Sequence, residues 1–269
     1  MAPTASARLP ILKSNSMRGD EVTARLTLED AHQPPEDQNA VIRRYIDFTK
    51  LVAMLHDRAL WFSRADKLGD SFEGSFTSAN IEARPAFWGR PFTGRYREKL
   101  EEAWREAPCY HFINSWHMND HESDAMWKIY ALRGDGIAIR STYKRLRDST
   151  VDFFPPVHLI RVQYIDFDAD LMPETEPMAP FAFKRKSFEH EQELRAVIQA
   201  GDYWSYRKTG EATERPGWMV EVSLDQLIEA IEVAPDADPW VVKLIEKVAD
   251  HYEIDATVVT SELARTPQF

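Results

Sequence analysis

Between residues 41 and 260 the chain alternates short β-branched or aromatic runs with amphipathic stretches, in no strict strand–helix–strand rhythm. That irregular order constrains the fold most, because regular alternation would signal a layered α/β sheet. The opening is β–α–β. A strand is predicted at Ile42-Arg43-Arg44-Tyr45-Ile46, with Asp47 as the N-cap of a helix carrying Leu51, Val52, Met54 and Leu55, and a second strand at Ala59-Leu60-Trp61-Phe62-Ser63. Further strands are expected at 109–118, 136–139, 159–164, 194–199, 219–222, 232–234 and 257–260. Helices are expected at 94–107, 125–131 with Gly134 as the stop, 142–148, 224–230 and 239–252. The pattern predicts an α+β fold, a single domain with a mixed, largely antiparallel central sheet flanked by helices.

The chain has 269 residues, the upper end for one domain, and 43% are hydrophobic, with 8 Trp, 14 Phe and 9 Tyr to fill a core. Residues 1–38 are polar and end near Pro34-Pro35; they read as an N-terminal arm before an α+β domain at 39–269. Cys109 is the single cysteine, so no internal disulfide forms, which suits a reducing compartment. No apolar stretch reaches membrane-span length and no secretory leader is visible, so a cytoplasmic protein with no membrane association is expected. A net charge of −11 argues against broad adhesion to nucleic acid or anionic lipid. A local basic site remains open at Arg84, Arg90, Arg95, Arg97 and Lys99, interleaved with Phe87, Trp88, Phe92 and Tyr96. That mixture suits base stacking and phosphate pairing, or a surface helix whose arginines shield aromatic flanks.

The segment His190-Glu191-Gln192-Glu193-Leu194-Arg195 carries the clearest chemistry. Glu191 and Glu193, at i and i+2 where a strand begins, are expected to project from one strand face and to push their pKa values apart. Such a pair suits catalysis or a cationic ligand; it also suits a salt-bridged sheet edge with Arg185, Lys186 and Arg195 as counter-ions. Cys109, His111, His117 and His121 cluster within thirteen residues, and His117 and His121 have the i, i+4 spacing of a helical metal site. The run reads instead as a strand leaving for a loop, without Cys-x-x-Cys or His-Glu-x-x-His, and no metal site is expected. Asp70 with Glu191 and Glu193 keeps a metal-dependent nuclease open, although Leu194-Arg195 stands where many nucleases carry lysine. Phosphate-loop, dinucleotide-fingerprint and nucleophile-elbow motifs are absent. Met126 and Tyr130 share one face of the helix at 125–131 and Trp127 another, so at least one large aromatic there belongs to the core.

An ordered series of segments resembles the prokaryotic family of domain of unknown function 2971. The residues are Arg44-Tyr45, Leu60-Trp61-Phe62-Ser63, Asp70-Ser71-Phe72-Glu73, residues 112–116, Met126-Trp127, Tyr130-Ala131, Gly136-Ile137-Ala138-Ile139, Tyr164, Glu191-Gln192-Glu193-Leu194-Arg195, Ile231-Glu232-Val233-Ala234-Pro235 and Val259-Thr260-Ser261. The series covers residues 41–262; Gly69 and Ser71 depart from the family's usual Asn and Pro, and the segment between Thr77 and Pro108 is longer.

The order of Arg44, Ser115 and Glu193 across an opening strand, a middle strand and a late Glu-x-Glu is similar to that of ADP-ribosyltransferases. That resemblance implies NAD as the consumed substrate. Glu193 would stabilise the oxocarbenium-like transition state, with Glu191 near the acceptor and Ser115 placing the ribose. Arg44, with Tyr45, Trp116, Trp127 and Tyr130, would hold the cofactor. The acceptor would be nucleic acid or protein, in a toxin or phage-defence setting. A non-enzymatic nucleotide or nucleic-acid binding module is the alternative. The transferase reading requires Arg44, Ser115 and Glu193 to line one pocket on adjacent strands, with Glu193 on the sheet face that Arg44 serves.

Overall fold

A computed structural model describes residues 31–88, 94–130, 135–174, 176–200 and 214–267. Strand β1 (Val41–Asp47), helix α1 (Phe48–Asp57) and strand β2 (Ala59–Arg64) form the β–α–β opening. Asp47 caps α1 by accepting the Lys50 N–H at 2.8 Å, and Arg58, in the left-handed region at φ 47°, ends it. Helices α2 (Ser78–Trp88) and α3 (Gly94–Glu106) lead to β3 (His111–Met118). Next come α4 (Asp124–Tyr130), β4 (Gly136–Thr142), α5 (Tyr143–Thr150), β5 (Val157–Arg161) and β6 (Gln163–Ile165). The chain closes with β7 (Phe183–Arg185), β8 (Glu193–Gln199), β9 (Gly217–Glu221), α6 (Leu224–Leu227), β10 (Ala230–Val233), α7 (Pro239–His251) and β11 (Thr257–Thr260).

Among the described residues, nine strands form one mixed, mostly antiparallel sheet in the order β11-β10-β4-β1-β3-β2-β9, with β8 on β3 and β5 on β8. The fold is a single α+β domain. Strand alternation sorts its two faces. Ile42 and Ile46 of β1, Leu60 and Phe62 of β2, Trp116 of β3 and Leu194 of β8 join the main core. Helices α1, α5 and α7 cover that face through Leu51, Met54 and Leu55, through Tyr143 and Leu146, and through Val241, Ile245 and Ala249. A second core under β3 and β8 gathers Ile113, Val197, Ile160, Phe181 and Phe183, and Ala31 from the end of the N-terminal segment is fully buried there.

The stretch expected as one strand at 159–164 breaks at Val162, whose N–H turns to the Glu193 carbonyl at 2.9 Å. Beyond the break, β6 pairs in parallel with β7 as a separate two-stranded sheet. The helix expected to run to residue 230 stops at Leu227, because Ala230 begins β10. Gly134 lies outside the described residues. Among those residues, no helix is long and apolar enough to cross a membrane.

Strand β3 holds the sheet together in an unusual way. Along one edge it pairs with β8 from His111 to His117. Its other edge is divided: β1 meets it at His117 and Met118, and β2 meets it at Phe112 and Ile113. Between those grips β1 and β2 part, so residues 114–116 have no strand partner on that side among the described residues. Side chains fill the gap. Arg44 Nη1 donates to the Ser115 carbonyl at 2.8 Å, and Asn114 Nδ2 donates to the Trp61 carbonyl at 2.8 Å.

A buried ion pair ties β1 to the strand two places away. Arg43 Nε and Nη2 meet the Glu232 carboxylate at 2.8 and 3.3 Å, and both side chains are 5% exposed. Glu232→Ala strands the guanidinium, so unfolding stability should fall by about 3–5 kcal/mol in a urea titration. An Arg43→Met, Glu232→Leu double variant should recover most of that loss, because no charge then stays buried alone.

Candidate functional site

A cleft of about 750 Å³ opens where β1 and β2 separate. Its walls include Arg44 and Tyr45 of β1, Trp61 and Ser63 of β2, Ser115 and His117 of β3, Tyr130 of α4, and Lys184, Glu191, Glu193 and Arg195 beyond. Lys50, Ala53, Met54 and Asp57, at i, i+3, i+4 and i+7 on α1, close the end where that helix crosses the split.

The deepest chemistry is a chain of five ionisable side chains. Arg195 Nη1 and Nη2 bind Glu73 at 2.5 and 2.9 Å, and Arg195 Nη2 also reaches Glu193 Oε2 at 3.0 Å. Lys184 Nζ lies 2.5 Å from Glu191 and 3.5 Å from Glu193. Burial alone would raise the Glu193 carboxyl. The charges of Arg195 and Lys184, with hydrogen bonds from Arg195 and the Ser115 hydroxyl, outweigh it and hold the carboxyl down to about 2. Glu193 is therefore ionised at neutral pH. Its backbone is fixed too, since its N–H donates to the Tyr164 hydroxyl at 2.8 Å.

Glu191 and Glu193 do meet, but not as neighbours on one strand face. Glu191 ends a 3₁₀ turn (Lys186–Glu191), Gln192 adopts the left-handed region at φ 39°, and β8 starts at Glu193. Lys184 joins the two carboxylates from β7. The counter-ions expected from sequence are partly replaced: Arg195 holds Glu193, Lys184 takes the place of Lys186, and Arg185 pairs with Asp70 at 2.7 Å.

Arg44 differs from every other basic residue named in the cleft wall. Alternation puts it on the face of Ile42 and Ile46, whereas Ser115 and Glu193 point from the other face with their cross-strand partners Arg195 and His117. The shared sheet face expected of Arg44 and Glu193 is therefore not found, and an unbroken sheet would keep the two apart. The split lets the guanidinium pass between the strands into the same cleft. Burial pulls its pKa down to about 10, and it bonds the Ser115 carbonyl rather than a carboxylate.

The four aromatic residues assigned to a ligand wall are sorted by burial. Tyr130 lines the cleft and is 46% exposed. Its hydroxyl, raised chiefly by burial, feels Glu191, Glu193, Lys184 and Arg44. Tyr45 contributes a buried ring edge, and its hydroxyl accepts the Ser123 N–H at 3.2 Å. Trp116 is buried in the main core and binds Asn114 through Nε1 at 2.7 Å. Trp127 does not line the cleft; it packs edge-on against Tyr45 at 4.9 Å and donates to Glu122. Trp61, with its neighbour Met219, supplies an exposed aromatic wall that the sequence analysis did not assign to the ligand.

The other candidate constellations are dispersed. His111 stacks on Phe181 at 4.1 Å and donates Nδ1–H to the Ala107 carbonyl, while His117 uses Nδ1 on the Glu191 carbonyl. Among the described residues, no group of three His, Cys, Asp or Glu side chains is placed to hold a metal ion. In the basic stretch, Arg84 is buried against Glu174 at 2.8 Å and over the Trp104 ring at 4.0 Å, and Arg97 pairs with Glu101. Arg90 and Phe92, and the side chains of Phe87, Trp88, Arg95 and Tyr96, lie outside the described residues.

No family model and no curated protein sequence matches the chain, so its resemblance to the family of domain of unknown function 2971 rests on the quoted residues. Among solved structures it is similar to DarT of Thermus sp. 2.9, solved in complex with ADP-ribosylated ssDNA. The TM-score is 0.39 and the identity 11%, over 84% of this chain and 95% of that one. A likeness at that distance carries no argument about activity, which must come from the cleft itself.

The buried imidazole of His111 makes the domain sensitive to acid. Burial lowers its pKa to about 4 from the ordinary 6.5, partly offset by the bond to Ala107. The unfolded chain therefore takes up a proton first as pH drops. The stability held above pH 6.5 is lost between about 6.5 and 4, by about 3 kcal/mol. Glu193 adds a second loss between its ordinary 4.5 and about 2. His111→Phe should flatten only the upper limb in denaturant titrations taken across pH; an unchanged limb would assign the acid sensitivity to other groups.

Proposed function

We propose that the cleft binds NAD and cleaves its nicotinamide–ribose bond, passing ADP-ribose to a nucleic-acid or protein acceptor. The observation that carries this reading is the division of charge. Three carboxyl groups, Glu73, Glu191 and Glu193, stand against two cations, Lys184 and Arg195; burial raises the Glu73 carboxyl against the pull of Arg195, while Glu193 is held ionised. Arg44, in the same cleft, has no carboxylate bonded to it among the described residues. A ligand that is cationic at a ring and anionic at a phosphate fits that layout, and NAD is such a ligand.

The chemistry follows from the charges. When the C1′–N bond breaks, its electron pair leaves with nicotinamide and positive charge builds on the ribose. An ionised, preorganised carboxylate beside that carbon lowers the barrier. Glu193 is held ionised by its neighbours, and Ser115, which donates to it, is placed to orient the sugar. The acceptor's oxygen or nitrogen then bonds to C1′ and releases its proton to solvent.

One observation favours a second reading, a module that binds a nucleotide without turning it over. Arg195 Nε lies 2.9 Å from one Glu193 oxygen and Nη2 lies 3.0 Å from the other, so both are engaged. The two readings separate in a nicotinamide-release assay combined with calorimetry. The transferase should release nicotinamide; Glu193→Gln should slow release by about a hundredfold or more while NAD still binds. Arg44→Ala should weaken NAD binding by about tenfold, the loss of one charge-assisted phosphate contact. Tight NAD binding with no release would establish the binding module instead.

A further inference from the structure

The end of the cleft away from Glu193 is built differently. Trp61 is 41% exposed and its ladder partner Met219 is 37% exposed, so an indole and a thioether lie side by side facing solvent. Large apolar side chains at such exposure are ordinarily loose. This indole is not. A β-carbon built on Gly217 would lie 2.1 Å from its Cζ2 and 2.4 Å from its Cε2, so the ring edge occupies the space that any other residue would fill. Gly217 sits on β9 opposite Ser63, two positions from the Trp61–Met219 pair. On its own strand, the Trp61 carbonyl is tied to Asn114 at 2.8 Å. Both the backbone and the ring of Trp61 are therefore placed before any ligand arrives, which removes much of the ordering cost of binding.

We infer that Trp61, with Met219 beside it and Gly217 beneath it, is a stacking platform for the nucleobase of a phosphate-bearing ligand. Three features support a nucleobase over a generic apolar group. The platform is aromatic and flat, and stacking on it gains from every base because each has a π-face. It shares one cleft with Arg44, whose guanidinium has no carboxylate bonded to it among the described residues, so ring and phosphate are recognised together. Its backbone carbonyl is also bonded to Asn114, the residue before Ser115, so the platform belongs to the same cleft as the Glu193 network and not to a remote surface. The assignment deepens the dinucleotide reading and rests on it for the phosphate at Arg44. The base would come from the adenosine end of NAD or from an unpaired base of a nucleic-acid acceptor.

Calorimetry with adenosine monophosphate and ribose 5-phosphate tests the platform without any turnover. The parent should prefer the nucleotide, and Trp61→Ala should weaken nucleotide binding about tenfold or more while leaving ribose 5-phosphate unaffected. Trp61→Phe should retain most of the preference, which excludes a folding defect as the cause. Gly217→Val should behave like Trp61→Ala, because it evicts the ring. Equal affinity of the parent for the two probes, or an unchanged nucleotide affinity in Trp61→Ala, overturns the platform.

Two further titrations identify the source of the base. A Trp61→Ala loss confined to NAD assigns adenine, and a loss confined to a single-stranded thymidylate hexamer assigns the acceptor. Failure of the dinucleotide reading looks different: no nicotinamide release and no NAD binding, with the adenosine monophosphate preference still present and still lost in Trp61→Ala.

Discussion

The structure depends on an incomplete strand pairing. β3 is gripped by β1 at one end and by β2 at the other, and among the described residues no strand pairs with 114–116 on that edge. Unmet backbone groups at such depth are costly, by roughly 1–3 kcal/mol each. Arg44 meets the Ser115 carbonyl, and Asn114 reaches back to the Trp61 carbonyl. The same interruption that needs these side chains also makes the cleft. A closed ladder between β1 and β3 would leave Arg44 and Glu193 on opposite faces of a continuous sheet.

Arg195 is the second dependence. It is 1% exposed, shares its guanidinium between Glu73 and Glu193, and comes from the strand that runs alongside β3. Without it, Glu73 and Glu193 would be two buried carboxylates in mutual repulsion. With it, Glu193 keeps its charge inside the fold, while burial still raises the Glu73 carboxyl. Removing one member of such a network is far more damaging than the net worth of the set, because the partners stay buried. The sharing also explains how a paired carboxylate can still serve a cationic ligand. Arg195 is bound on its other side by Glu73, so its positive charge is not wholly spent on Glu193.

Most elements were legible from residue patterns, because β-branched and aromatic runs mark β1, β2, β3, β4, β8 and β11 and because Asp47 caps α1 as its side chain predicts. The convergence of Arg44, Ser115 and Glu193 on one cleft followed from the order of their strands, while the sheet face of Arg44 did not. Trp61 could have been found: Leu60 and Phe62 face the core, so period-two alternation sends Trp61 and Ser63 to the other side. β7 could not, since three residues carry no periodicity and Lys184 there reads as part of a charge run. Glu73 and Arg195 lie 122 positions apart, and no local pattern announces a contact at that separation. Gln192 hid the geometry of the acidic pair, because a left-handed residue inside Glu-x-Glu breaks the face rule on which the i, i+2 argument relied.

The two ends of the cleft follow from opposite uses of one sheet. Near β8 the strands pack closely, water is excluded, and charge survives only where cations surround it. Near β9 the sheet is an exposed rim, Gly217 removes a side chain, and an aromatic ring takes its place in view of solvent. Arg44 lies between them because the gap in β3's pairing admits it there. A ligand in the cleft therefore meets a fixed ring, a guanidinium bonded to no carboxylate among the described residues, and a buried acid. Each of these is positioned by backbone and packing rather than by the ligand, so a bound molecule adapts to the cleft and not the reverse.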